Sequence, residues 1–208
     1  MDTNQIATLL RPFIHLDEKR LAQTLTYIQL VLKWNARINL TAVRKPEDIV
    51  IRHFGESFFV AQHLVPFARP ASVIDLGSGA GFPGLPFAIL SPQVPLILIE
   101  SNNKKAAFLN EVIRALDLNH VTVFKNRGED FSGKADLVMM RAVEKFEAAA
   151  AVAATLLNPD GRLALMIGKS QIAKAKEMDS GLAWSDPVPI PSGDSRVLLL
   201  GTNKVKVD

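Results

Sequence analysis

The sequence predicts an α/β protein: a seven-stranded, mostly parallel sheet wound on both faces by helices, preceded by an N-terminal helical extension. Three observations carry that expectation. After residue 71 come five short runs rich in Val, Ile and Leu (SVIDL, PLILIE, HVTVF, ADLVMM and RLALMI), each bounded by turn residues. Amphipathic segments separate them, as parallel neighbours require, because a tight turn cannot join two parallel strands. Before residue 71 the apolar positions recur at helical steps instead. A chain of 208 residues, 48% hydrophobic, is long enough for one sheet-centred unit with a small appendage. Residues 1–70 are accordingly expected to form the helical extension and residues 71–208 the core.

In the extension, Leu21, Leu25, Ile28 and Leu32 follow steps of 4, 3 and 4, which places them on one face of a helix with Asp17 as its N-cap. A further helix opens at Pro46-Glu47-Asp48 and continues through Ile49, Val50 and Phe54. In the core, FPGLPFAIL, NNKKAAFLNEVIRALD and EKFEAAAAVAATLL read as the crossover helices. Asn158-Pro159-Asp160-Gly161 reads as the turn that ends the last crossover and leads into the fifth strand. A short helix with Ile172 and Met178 should follow Gly168. Two extended runs close the chain, at residues 183–190 and 196–201, as a hairpin over Ser192-Gly193-Asp194; Pro187, Pro189 and Pro191 make the first an edge strand.

Composition narrows the chemistry. With no cysteine there is no disulfide, thiolate metal site or cysteine nucleophile. The N-terminus lacks a secretory pattern and no run reaches a membrane span, so a cytoplasmic protein without a membrane partner is expected. The net charge of +3 lies wholly in residues 1–70, which hold 9 Lys and Arg against 6 Asp and Glu, whereas residues 71–208 hold 15 of each. Between Lys19 and Lys45 six basic residues occur with no acid, including Lys33, Arg37 and Arg44. Such a stretch suits a polyanion, or equally a solvated helix face.

In such sheets ligands bind beyond the carboxyl ends of the strands. The loop there is Asp75-Leu76-Gly77-Ser78-Gly79-Ala80-Gly81-Phe82-Pro83-Gly84. Read from Gly79 it matches a dinucleotide fingerprint, with Glu100 twenty-one residues on. Read from Asp75 it is the D-x-G-x-G-x-G loop of S-adenosylmethionine methyltransferases. A pyrophosphate at the helix start would be repelled by a carboxylate at the end of the first strand. S-adenosylmethionine carries a sulfonium and an ammonium, and at 4 Å a charge pair is worth about 4 kcal/mol at an effective dielectric near 20, so its sign decides. Asp75 therefore favours S-adenosylmethionine, with capping of loop amides as the alternative. Glu100 suits a ribose under either reading, and Arg127-Gly128-Glu129-Asp130 adds acids after the third strand.

Methyl transfer is an in-line displacement in which positioning supplies roughly 7–11 kcal/mol, so no triad is needed. The missing cysteine excludes attack through cytosine carbon-5. Met139-Met140-Arg141-Ala142-Val143 stands where an amine-clamping motif would otherwise be. Arg141 there suits a cofactor carboxylate, a phosphate or a guanine edge. Guanine N7 fits, because its lone pair is free and no base must remove a proton.

The chain resembles, over nearly its whole length, the bacterial ribosomal small-subunit methyltransferase G family, also called glucose-inhibited division protein B. The resemblance rests on Lys33-Trp34-Asn35, Ile38-Asn39-Leu40-Thr41, Arg52-His53 with Ser57, residues 75–84, Arg127-Gly128-Glu129, Arg141-Ala142 and Arg196. It implies a Rossmann-like class I fold and S-adenosylmethionine-dependent methylation of guanosine N7 in 16S rRNA of the small ribosomal subunit; a monomer without a metal is expected. It also implies cofactor contacts at Gly77, Phe82, Gly128, Glu129 and Arg141, beside Asp75, Gly79, Gly81 and Glu100 from the loop reading. Lys33, Arg37, Arg44, Arg52, His53, Arg127, Lys169 and Arg196 are the candidates to meet RNA, and Arg141 and His53 those to act on the reaction. Two departures stand out. Glu56 replaces the family's usual Asp, and Ile167-Gly168-Lys169 replaces Lys-Gly. Strand alternation would put Lys169 on the face of residue 167, in place of the missing cation. A small-molecule methyltransferase and a non-catalytic rRNA-binding assembly factor are the alternative functions.

Overall fold

The computed structural model describes residues 1–67, 72–141, 146–178, 181–191 and 195–203. Its centre is one sheet of β1 (Val73–Leu76), β2 (Leu96–Ile99), β3 (Val121–Phe124), β4 (Ala135–Arg141), β5 (Leu157–Gly168), β6 (Leu182–Trp184), β7 (Val188–Pro189) and β8 (Arg196–Asn203). The order is β3-β2-β1-β4-β5-β8-β6, with β7 also on β8. The first five strands pair in parallel; β8 runs antiparallel to β5, β6 and β7. The order reverses between β1 and β4, so the loop after β1 opens at the switch point.

Helices cover both faces. On one lie α1 (Thr3–Leu10), α2 (Glu18–Asn35), α3 (Pro46–Ile49), α4 (Glu56–Leu64), α5 (Gly84–Leu90) and α6 (Asn103–Ala115); on the other lie α7 (Phe146–Thr155) and α8 (Ile172–Glu177). The two cores follow strand alternation. Val73, Leu96, Leu98, Leu137 and Met139 face the first set, whereas Ile74, Leu76, Val138, Met140 and Leu165 face the second. Ile6, Leu10, Ile28, Val31, Phe54 and Phe58 belong to the same buried cluster as Val73 and Leu96, so the N-terminal helices share the core of the sheet. The expected boundary at residues 70 and 71 falls outside the described residues.

Asp17 caps α2 as predicted, accepting the Arg20 N–H at 2.8 Å. The deepest stripe of α2 is rotated from the predicted one. Thr24, Tyr27, Ile28, Val31 and Asn35 are buried, while Leu21, Leu25 and Leu32 are only partly so. The helix packs on α5 as well as α6, and of its inner polar residues Tyr27 bonds to the loop after β1 and Asn35 to the turn after α2.

The carboxyl end of the molecule differs from expectation in two places. Strand β5 starts at Leu157, ahead of the Asn-Pro-Asp-Gly turn, and the pairing with β4 jumps from Ala135↔Leu157 to Leu137↔Arg162. The turn is thus a bulge inside the strand, and Asp160 takes a φ of 61° to make it. The last edge run splits into β6 and β7 around Ser185 to Pro187, which gives eight strands among the described residues instead of seven. Proline lacks the N–H a continuous ladder requires. The hairpin turn expected at Ser192-Gly193-Asp194 lies outside the described residues.

Between α3 and α4 the chain passes through a π-helical stretch, Val50–Gly55. Such turns are rare and gather at functional sites. Here it carries His53.

Candidate functional site

Three glycines shape the loop after β1. Gly77, Gly79 and Gly81 have φ of 72°, 58° and 88°, a region L side chains seldom enter. At Gly79 an added Cβ would meet nothing nearer than the Gly77 carbonyl at 3.8 Å, so the loop borders open space; at Gly81 it would collide with Leu85 and the Tyr27 hydroxyl. The loop is therefore open on the ligand side and braced behind.

Tyr27, the only tyrosine, supplies the brace from α2. It is fully buried and donates to the Ala80 carbonyl at 2.5 Å. Its ring stacks on Phe82 at 5.4 Å and meets Phe54 edge-on at 4.8 Å. The signal was present in the sequence as a polar aromatic inside an apolar helical stripe, a residue that needs a buried partner for its hydroxyl.

Two acids hold the loop. Asp75 is fully buried at the end of β1, and its Oδ2 accepts the N–H of Gly84, the first residue of α5, at 3.1 Å. Oδ1 has no partner. Burial pushes the carboxyl up to about 7. At the end of β2, Glu100 accepts the Gly79 N–H at 2.9 Å and the Asn102 N–H at 2.7 Å, and is 7% exposed. The geometry therefore gives Asp75 the capping role left open above. It lies beneath the loop, whereas Glu100 lies at its mouth. Glu129 is exposed on the turn Gly128–Asp130, beside exposed Arg127. Gly128 is a packing position, since a Cβ there would lie 2.6 Å from Leu76 and 3.0 Å from Val152. Exposed Gly77, the open side of Gly79 and the acids at the ends of β2 and β3 suit a cationic group that carries ribose hydroxyls. An ionised carboxylate has about four acceptor sites, so Glu100 retains capacity beyond its two amides.

The second part of the site lies at the ends of β4, β5 and β8. A cavity of about 270 Å³ is lined by His53, Glu56, Met140, Arg141, Phe146, Met166, Ile167, Gly168, Gln171 and Arg196. Sequence reasoning had noticed Glu56 only as a departure. It is the hub: its Oε2 accepts from Arg141 at 2.9 Å and from Arg196 at 2.5 Å, and its side chain is 4% exposed. Arg141 also donates to the Ser57 hydroxyl (3.1 Å), the Arg52 carbonyl (2.6 Å) and the His53 carbonyl (3.4 Å). Four of its five donors are thus engaged, and the π-helical turn supplies two of the acceptors. Burial lowers the guanidinium to about 10, still charged at neutral pH. Arg196 is the more open cation, its side chain 34% exposed.

His53 joins the two parts. Its ring stacks on Phe82 at 5.2 Å, and its Nε2 shares a 2.6 Å hydrogen bond with the Thr41 hydroxyl. Burial, then the charges of Arg141, Arg196 and Arg52, lower it to about 3, so the imidazole is neutral at ordinary pH.

The other predicted residues separate. Lys33 is tied to Glu111 at 3.1 Å, and the same carboxylate accepts from Trp34 at 2.9 Å. Lys169 does not take the face of residue 167, because β5 ends at Gly168 and the chain turns into a 3-10 helix; Ile167 lines the cavity and Lys169 is exposed outside it. Arg37, Arg44 and Arg52 are exposed. A hollow of about 770 Å³ opens at the opposite sheet edge beside Pro92 and His120, and none of the predicted site residues lines it. Among the described residues no cluster of three or more His, Asp or Glu is placed to hold a metal, and no helix is long and apolar enough to cross a membrane.

Residues 20–189 match the family model described as rRNA small subunit methyltransferase G. Proteins named ribosomal RNA small subunit methyltransferase G include one from Streptococcus agalactiae, 32% identical over 92% of this chain and 86% of its own, and one from Roseiflexus, 37% identical over 90% and 85%. A third, from Xanthomonas axonopodis pv. citri, is 39% identical over 74% and 71%. Among solved structures, magnesium protoporphyrin IX methyltransferase from Synechocystis, with bound S-adenosylmethionine, aligns with a TM-score of 0.66 at 17% identity over 91% of this chain and 98% of its own. A ribosomal protein L11 methylase from Lactobacillus delbrueckii aligns at 0.63 and 15% identity, over 74% and 80%. These two share the fold.

Proposed function

The chain belongs to the rRNA small subunit methyltransferase G family, and from that premise we propose that it transfers a methyl group from S-adenosylmethionine to N7 of a guanosine in 16S rRNA. The observation that carries the reading is the span of the family match, residues 20–189, which takes in the braced loop, His53, Glu56 and Arg141, with Arg196 alone of the cavity lining beyond it.

S-adenosylmethionine, when bound, supplies an electrophilic methyl group on a sulfonium. The loop at Gly77 and Gly79, with Glu100 and Glu129, is the place to hold it, and Asp75 supports that loop from below by capping α5. A carboxylate buried this deeply serves loop geometry first. Phe82 contributes one wall, fixed between Tyr27 and His53.

The acceptor side needs position more than proton transfer. A neutral His53 held by Thr41 is no proton shuttle near pH 7, and guanine N7 has no proton to lose. The cavity offers Arg196 to an acceptor edge or phosphate, while Arg141, with four of its donors on Glu56, Ser57 and the π-helical carbonyls, fixes the wall behind it. Bidentate donation from arginine suits the O6 and N7 edge of guanine in general, and once N7 is the nucleophile only O6 remains to accept.

Mass spectrometry of 16S rRNA nucleosides from a deletion strain tests the proposal. Loss of one 7-methylguanosine, restored by the gene, is expected. An undiminished level would overturn it.

A further inference from the structure

A second hollow, about 610 Å³, opens beside the loop and is lined by Asn35, Ala36, Arg37, Ile38, Asn39, Arg44, Asn102, Lys104 and Lys105. Four cations line it and no acid does. Among the described residues none of the four makes an ion pair.

One wall is rigid. Buried Asn35 accepts the N–H groups of Leu40 (3.0 Å) and Thr41 (3.1 Å), which fixes the turn after α2. Arg44 lies back on that turn, donating to the Asn35 carbonyl at 3.3 Å and to Asn39 Oδ1 at 3.2 Å. Two of its five donors are used, and the others remain for a ligand. The opposite wall is the first turn of α6. There Asn102 Oδ1 already accepts the N–H groups of Lys104 and Lys105, so the attraction must come from the two ammonium groups and not from free helix amides. The Asn102 N–H in turn lies on Glu100. The basic hollow is therefore one residue away from the acid at the loop's mouth.

We infer that this cleft between the α2–α3 turn and the start of α6 binds the phosphodiester backbone of the substrate RNA next to the target nucleotide. The inference rests on the function proposed above. Four unpaired cations around a hollow of this size match consecutive phosphates, whose neutralisation releases counterions and makes affinity fall with salt. The cleft also gives the Trp-Asn-x-x-Ile-Asn-Leu-Thr segment a purpose: Asn35 and Asn39 set the angle of Arg44.

The test is 16S rRNA binding by the full chain across a salt series, comparing the wild type with the double variant Lys104→Gln/Lys105→Gln. Both lysines project from a capped helix turn, so the fold should persist, and unchanged calorimetric affinity for S-adenosylmethionine would confirm it. Loss of two phosphate contacts should flatten the log–log salt slope by about 1.4, taking about 0.7 per contact for single strands. Lys104→Arg/Lys105→Arg should keep the wild-type slope. A wild-type slope in the glutamine variant overturns the inference while leaving the proposed function in place. Loss of inorganic phosphate binding without a change in the RNA slope overturns it too. A wild type whose rRNA binding ignores salt overturns both.

Discussion

The two corners of this sheet edge hold buried charge in opposite ways. At β1 and β2 two carboxylates, Asp75 and Glu100, each accept a backbone N–H group of one glycine loop, and Asp75 keeps one oxygen without a partner. At β4 and β8 two guanidiniums share one carboxylate, Glu56, and lean on carbonyls of a π-helical turn. The first corner is built within about 25 residues of chain and the second across separations of 85 and 140. Side-chain wiring concentrates the stability of three elements on a single oxygen.

The largest effect should come from that oxygen. Glu56→Ala leaves two buried or half-buried cations without their partner, and uncompensated buried charge typically costs about 3–5 kcal/mol. Urea unfolding should show that loss. If the variant retains wild-type stability, the side-chain corner is no more fragile than the backbone one and the contrast fails.

That contrast also decides what the sequence could disclose. The glycine loop, the first four strand runs and the Asp17 cap are local patterns, and each is where the periodicity and turn chemistry put it. Glu56 was visible only as a slightly long acid, since nothing local says that residues 141 and 196 converge on it. The rotated stripe of α2 and the split of β6 from β7 escaped for the same reason. Tyr27 turns inward because a loop 53 residues later offers it a carbonyl. The edge run breaks between Trp184 and Val188, where Pro187 has no N–H to give to β8, while Pro189 still pairs with Val197.

The next effect is in pH, and there the corners act with opposite sign. Asp75 has its folded pKa raised, from 3.8 to about 7, so the folded state binds more protons and stability falls as pH rises from about 4 to about 7. His53 has its folded value lowered, from 6.5 to about 3, so its contribution is present above about 6.5 and is lost as pH falls toward 3. Each spans roughly three units, at most about 4 kcal/mol at 1.36 kcal/mol per unit. Together they nearly cancel. The wild type should therefore show a flat stability profile between pH 4 and 6.5, while Asp75→Asn loses stability on acidification and His53→Gln gains it. Parallel slopes in the two variants would show that the corners are not electrically opposite.

A smaller loss tests the brace between them. Tyr27→Phe keeps the ring against Phe82 and Phe54 but leaves the Ala80 carbonyl without its donor, which should cost about 1–3 kcal/mol. Weaker S-adenosylmethionine binding should accompany it, because Ala80 belongs to the glycine loop. A stability loss with unchanged cofactor affinity would confine Tyr27 to packing.

The smallest effect concerns Lys33, a candidate of the basic N-terminal stretch whose charge is already matched. Glu111 holds it at 3.1 Å with its side chain 56% exposed, and exposed pairs of this kind are worth about 0–1 kcal/mol. Arg37 and Arg44 belong to the same basic stretch of sequence but line a hollow without acids. Charge matched at home has little left for a phosphate. Lys33→Ala should accordingly leave the salt slope of rRNA binding nearly unchanged, whereas Arg37→Ala should flatten it by about 0.7. An equal change in both would mean that the sequence's run of positive charge, and not the cleft that gathers part of it, is what meets the RNA.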